Sequence, residues 1–192
     1  MEQTLVLVKP DGVKRGLSGE IVTRFERAGL KIVGMKMIRV DADIVRKHYP
    51  EREGFLEALG KKTLETYAKY GKDPNEEMGT MDPREIGKMV NAWNMEFLSS
   101  GPVVAIVLEG NHAVENVRRI VGSTIPTISQ PGTIRGDYSV DSPALANKRK
   151  RSLRNVVHAS GNAEEAKYEI QLWFKQNELH SYKRADEGAM FE

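Results

Sequence analysis

Val103-Val104-Ala105-Ile106-Val107-Leu108 is an unbroken apolar run. It is far shorter than the roughly 18 residues needed to cross a bilayer. It also lacks the polar alternation of a half-exposed strand. Such a run is satisfied as a central strand buried on both faces, so the chain must provide a layer above and a layer below a sheet.

The flanking segments supply those layers. Residues 4–8 are a short β-rich apolar run, broken by Lys9-Pro10-Asp11-Gly12, a turn signal. Ser18 begins a helix with Glu20 in its first turn, Ile21 and Phe25 on one face, and Gly29 at its C-terminal end. Residues 30–40 read as a strand whose only helix breaker is Gly34. Asp43 is the expected cap of a short helix bearing Ile44, His48 and Tyr49, ended by Pro50. Residues 51–98 are charge-rich and predict a helical excursion from the core: helix near 55–70, a polar break at 71–83 and helix again near 84–98.

After the apolar run, Asn111 is the expected cap of a helix with Val114, Val117 and Val121 in one stripe, closed by Gly122. Pro126, Pro131, Gly132 and Gly136 mark 123–136 as a loop. Residues 139–151 read as a second, polar loop ending in the basic run Lys148-Arg149-Lys150-Arg151. Val156 and Val157 lead into His158. Asn162 and Glu165 form a capping-box pattern before a helix that buries Ala166, Ile170 and Trp173 or Phe174. Strands and helices alternate, which argues for α/β or interleaved α+β. Periodicity alone does not choose between a parallel doubly wound sheet and an antiparallel split-βαβ sheet.

Composition narrows the chemistry. The chain has 192 residues, enough for one domain with a sizeable core, and no cysteine, which excludes disulfides and thiol catalysis. Its net charge of +2 does not mark a nucleic-acid binder. The opening MEQTLVLVKPDG becomes charged too soon for a signal peptide, so a cytoplasmic protein without membrane partners is expected. Gly60-Lys61-Lys62-Thr63 resembles a P-loop superficially. However, five residues separate it from Gly54 where four are needed, and Lys62 stands where Ser or Thr must be. No metal-ligand motif is visible.

Of His48, His112, His158 and His180, His158 has the most suggestive neighbourhood. It follows an expected strand end and precedes Ala159, Ser160 and Gly161, which leave space for a ligand. A helix N-terminus, which favours anions, comes next. Imidazole, with an ordinary pKa of about 6.5, is largely neutral at pH 7 and so nucleophilic without a strong base.

Four stretches then fall in order: Val8-Lys9-Pro10-Asp11-Gly12-Val13 with Arg15-Gly16-Leu17 and Gly19-Glu20-Ile21; Gly101-Pro102-Val103-Val104-Ala105; Pro131-Gly132-Thr133-Ile134-Arg135-Gly136-Asp137; and Asn155-Val156-Val157-His158-Ala159-Ser160. Together they resemble the nucleoside diphosphate kinase family. The resemblance implies an α+β, ferredoxin-like βαββαβ antiparallel sheet. It implies ping-pong transfer of a γ-phosphoryl group between nucleoside tri- and diphosphates through phosphohistidine at His158, with Mg2+ carried by the nucleotide and no protein metal ligands. It further implies that Glu169 orients the imidazole, that Tyr49 lies near the γ-phosphate, and that Lys9, Arg118, Thr124 and Arg135 bind phosphate. Asn155 would read a sugar hydroxyl and Ser160 would bond near the histidine. Val90 would form one wall of a base slot whose other wall falls near Ser152 or Leu153. A homo-oligomer, tetramer or hexamer, is implied as well.

Three departures stand out. The 51–98 excursion carries about thirty extra residues, too many for a simple loop. About ten extra residues at 139–151 precede Asn155. Ala159-Ser160-Gly161 replaces the family's usual Gly-Ser-Asp. One alternative reading is a family-fold binding module that has lost exchange activity; a second is a protein associated with nucleic acid through the basic run 148–151.

Overall fold

A computed structural model describes residues 1–191. Four strands carry it: β1 (Glu2–Val8), β2 (Lys31–Arg39), β3 (Pro102–Gly110) and β4 (Val157–Ala159). They form one sheet in the order β2-β3-β1-β4, with every neighbouring pair antiparallel. The fold is therefore α+β and antiparallel, which settles the choice that periodicity leaves open. β3 lies between β1 and β2, and its residues 105–108 are buried as their apolar run requires.

Alternation along the strands divides the core in two. Val6, Val8, Ile106 and Leu108 face helices α2 (Ser18–Arg27) and α7 (Ala113–Val121), packing with Ile21, Phe25, Val117 and Val121. Leu5, Leu7, Ala105 and Val107 face the other way, against Val45 of α3 (Ala42–His48) and Ile170 and Trp173 of α10 (Ala163–Trp173). His158 pairs across from Leu7, which directs it to the α3–α10 face.

Local chemistry differs from expectation at several points. Lys9-Pro10-Asp11-Gly12 opens a short helix, α1 (Pro10–Lys14), because Pro suits a first helical position where no N–H is needed. Asp41, not Asp43, caps α3, with its carboxylate accepting from Ile44 N at 2.8 Å. Asn111 does not cap α7. His112 occupies that position in a left-handed conformation, and Glu2 accepts from Val114 N at 3.0 Å. The 123–136 loop holds a 3-10 turn at Pro126–Ile128 and the start of α8 (Ile134–Tyr138). The 139–151 loop is not a loop throughout: Ser142 caps α9 (Pro143–Lys148).

The 51–98 excursion is helical, comprising α4 (Glu53–Lys69), α5 (Pro74–Met78) and α6 (Pro83–Ser99). α5 falls inside the expected break, capped by Asp73. α4 and α6 touch backbone to backbone. A methyl group on Gly60 would stand 1.6 Å from the Pro83 carbonyl oxygen, and one on Gly87 would stand 1.9 Å from that of Leu56. Gly60, the P-loop decoy, is thus a packing residue. The excursion has its own small core of Tyr67, Met78 and Ile86. Its other end, Leu98, joins the main core. α9 rests on α4 and α5, so the two inserted segments meet.

Candidate active site

His158 lies within β4 rather than after it. Its position is fixed from behind by the start of α1. Lys9 N donates to Val156 O at 2.8 Å, and Val156 N donates to Asp11 Oδ2 at 3.1 Å. Between those bonds Val156 has φ +57°, a conformation that a β-branched residue adopts only when its surroundings impose it. Asp11 thus shapes the backbone two residues before His158. Sequence reasoning saw Asp11 only as a turn former, since nothing local links it to a residue so far along the chain.

The imidazole itself is tied by Glu169 on α10, with Nε2 and Oε1 2.8 Å apart. A carboxylate can only accept, so Nε2 carries the proton and Nδ1 keeps its lone pair. Ser160 Oγ donates to the other oxygen, Oε2, at 2.5 Å. Burial would push the Glu169 carboxyl up. Its interactions with His158, and more weakly with His48 and Ser160, outweigh it and hold the group below its ordinary value. Ser160, expected among the nucleotide-binding residues, is fully buried. Its place is behind Glu169, where it cannot touch a ligand.

Cationic residues line the neighbouring backbone, and they act on one another's charge. Lys9 is buried, its Nζ 5.3 Å from the centroid of the Phe97 ring. Arg154 covers the same ring at 3.8 Å. Burial lowers the Lys9 pKa to about 8; Asp11 opposes this, while Arg135 and Arg154 add to it. Arg135 is also buried and lowered to about 10, first by burial and then by Arg118. It donates from Nη2 to Val157 O at 2.8 Å and from Nη1 to Gly122 O at 3.0 Å. Asn155 Nδ2 donates to Thr124 O at 2.8 Å, and its Oδ1 has no partner. Arg118 is exposed on α7. A Cβ at Gly161 would lie 3.8 Å from Arg118 Nη1 and 2.5 Å from Glu165 Oε2. Glu165 also accepts from Gly161 N at 3.0 Å. A carboxylate therefore occupies the space beside Gly161, reached from one turn further along.

Tyr49 is half-buried at the end of α3, and burial raises its phenol pKa. Glu169 thus holds the His158 ring, Tyr49 packs edge-on against His48 beside it, Arg135 and Lys9 bond the backbone at Val157 and Val156, Asn155 bonds the Thr124 carbonyl, and Arg118 lies near Gly161. Val90 packs against the small core of the excursion, next to Asn91, whose Nδ2 donates to Tyr49 O at 3.3 Å. Ser152 is buried and donates to Asn94 Oδ1 at 2.6 Å, so α6 and the segment before Asn155 touch directly. Arg151 of the basic run is held by Asp141 at 2.6 Å. Sequence reasoning passed over His48 and Trp173, whose spacing is that of ordinary core residues.

The chain resembles proteins of known kind over most of its length. A sequence model described as nucleoside diphosphate kinase matches residues 2–61 and 83–179, leaving out 62–82, the end of α4 and all of α5. Nucleoside diphosphate kinase of Pyrobaculum aerophilum is 48% identical over 179 residues, 93% of this chain and 98% of the relative. That of Pyrococcus furiosus is 40% identical, covering 96% and 90%. The crystal structure of an NDP kinase from Pyrobaculum aerophilum superposes with a TM-score of 0.90 at 46% identity, covering 94% of this chain and 99% of that one. A transition-state mimic of the Borrelia burgdorferi enzyme, with bound vanadate and ADP, superposes at 0.78 with 39% identity, covering 98% and 95%. With the antiparallel sheet and the histidine–carboxylate pair in place, the chain is an enzyme of the nucleoside diphosphate kinase family.

Proposed function

We propose that the enzyme transfers the γ-phosphoryl group of a nucleoside triphosphate to a nucleoside diphosphate in two steps, through a phosphohistidine at His158. The observation that carries this reading is the Nε2–Glu169 bond, which leaves Nδ1 unprotonated and free to attack. In the first step Nδ1 forms a bond to the γ-phosphorus as the bond to the β–γ bridging oxygen breaks, and the diphosphate leaves with that electron pair. In the second, a terminal oxygen of another diphosphate attacks the same phosphorus and the N–P bond breaks. The proton stays on Nε2, hydrogen-bonded to Glu169, throughout, and the carboxylate balances charge that develops on the ring.

Such a reaction needs positive charge around the phosphoryl group more than it needs proton transfer. Lys9, Arg118 and Arg135 supply it in this reading, with Thr124 and Tyr49 as hydrogen-bond donors and Asn155 as the sugar contact. Mg2+ enters as part of the substrate, on the nucleotide phosphates. The cluster His48, His158 and Glu169 does not suit a resident cation, since both carboxylate oxygens already accept hydrogen bonds. The vanadate and ADP held by the Borrelia relative support a site of this kind.

We also read the chain as one domain, cytoplasmic, and assembled as a homo-oligomer. The edge strand β2 exposes Met35 at 55% and Met37 at 60% of their surfaces, an apolar edge that a second copy would cover. Among the described residues no helix is long and apolar enough to cross a membrane.

The deciding experiment is incubation with γ-labelled ATP and magnesium. The expected product is an acid-labile, alkali-stable phosphoprotein that discharges onto GDP, absent in His158→Ala. A wild-type protein that never takes label, or a variant that labels equally, would overturn the proposal.

A further inference from the structure

His48 is buried among three rings. Their centroids lie at 4.8 Å for Tyr49, 5.6 Å for Trp173 and 4.6 Å for His158. The His48 and His158 planes cross at 80°, edge against face. Trp173 donates from Nε1 to His48 Nδ1 at 3.4 Å. That bond makes Nδ1 an acceptor and puts the proton of the neutral ring on Nε2. Burial keeps the ring neutral, with a pKa of about 3; the nearness of His158 and Lys9 adds to this against the pull of Glu169.

His48 Nδ1 is only 3.3 Å from Glu169 Oε1, the oxygen that holds His158. In the tautomer fixed by Trp173 it has no proton to offer there. The carboxylate oxygen is left to His158. His48 Nε2 meanwhile has no partner in its buried setting, an arrangement that costs stability.

We propose that His48 is a positioning residue for phosphoryl transfer: its ring braces the His158 imidazole so that Nε2 stays on Glu169 and Nδ1 stays turned toward the phosphate. This rests on the phosphohistidine reading above. One hydrogen bond to Glu169 fixes one end of the imidazole but leaves the ring free to tilt about that bond. A second ring set across it removes that freedom. Trp173 acts one step further back, by stopping His48 from competing for the carboxylate.

The test pairs ¹⁵N NMR of the unliganded protein with single-turnover phosphorylation by labelled ATP. His48→Phe keeps a ring without nitrogens, and His48→Ala removes the brace. In wild type and in His48→Phe, His158 is expected as one tautomer, protonated on Nε2, with rates within about three-fold of each other. In His48→Ala the His158 signals move toward a tautomer mixture. Its rate falls about ten- to a hundred-fold, the effect of a reacting group misplaced by about 1 Å, while nucleotide affinity stays within about two-fold. The proposal is overturned if His48→Ala keeps the His158 tautomer and rate, if rate and affinity fall together, or if a folded His48→Phe loses as much as His48→Ala. Should the alanine variant not fold, His48→Asn takes its place with the same outcomes. Failure of the parent reading looks different: wild type itself takes no label, and the tautomer comparison still reports on His48.

Discussion

Around His158 polar atoms are bonded in series: Ser160 to Glu169, Glu169 to His158, Arg135 to the Val157 carbonyl, Asp11 to the Val156 amide. The α4–α6 excursion is held differently, by a three-residue core and by two glycines that let backbones touch. The first region sits on a sheet whose two faces are both packed, so each bond is braced by neighbours it did not have to order. The second leans on the main body along the C-terminal half of α6, through Leu98, through Ser152 Oγ to Asn94 Oδ1 at 2.6 Å and through Asn91 Nδ2 to Tyr49 O at 3.3 Å. Precision belongs to the site, then, and local independence to the excursion.

Core truncation in each region separates them most strongly. Ile106→Ala empties a fully buried position in the sheet and should cost about 2–5 kcal/mol of global stability. Ile86→Ala is equally buried but should release mainly α4 and α6. Hydrogen exchange checks this: loss of protection in β1 and β3 of the Ile86 variant would erase the distinction.

Glu169→Ala comes next. It strands the ring proton of His158 and should slow single-turnover phosphorylation about a hundred-fold, with nucleotide affinity nearly unchanged. An unaltered rate would remove Glu169 from the orienting role. Gly87→Ala should cost about 1–3 kcal/mol by forcing α6 off the Leu56 carbonyl. Its effect on phosphorylation should be smaller than that of Glu169→Ala; an equal loss would show that the excursion shapes the site.

Lys9 gives the mildest effect, in two opposite directions. Its folded pKa of about 8 lies below the ordinary lysine value of 10.5, so the folded protein holds this proton less tightly than the unfolded chain. The contribution of Lys9 to stability should therefore rise with pH between about 8 and 10.5 and be least favourable below that window. Nucleotide affinity should move the other way, weakening a few-fold as the lysine loses its charge above pH 8. Arg154→Met should move that midpoint upward by removing a nearby positive charge, and titrating affinity against pH in both proteins measures it. A midpoint that stays put would mean that Arg154 does not act on Lys9.

Much of the sheet was legible because its signals are local. The 103–108 run and the valine stripe at 114, 117 and 121 each declare their own burial. Lys9, Arg135, Asn155 and His158 draw attention because short motifs carry them, whereas Glu169, outside those motifs, is expected only from the resemblance. What stayed hidden depends on distant partners. Asp11 bonds a backbone amide 145 positions away, and His48 meets Trp173 across 125. Ser160 is expected near the histidine, but its bond to Glu169 is not, since sequence does not say which atoms face inward. Gly60 looked like part of a failed phosphate loop because a helix crossing this close leaves no local mark.

The central claim is that Glu169 holds Nε2 so that Nδ1 is the atom that carries phosphate. It is tested most directly by ³¹P and ¹⁵N NMR of the protein phosphorylated with ATP. The account predicts a single phosphohistidine, at His158, with phosphorus on Nδ1 and a proton retained on Nε2. Phosphorus on Nε2, or on any other residue, would contradict it.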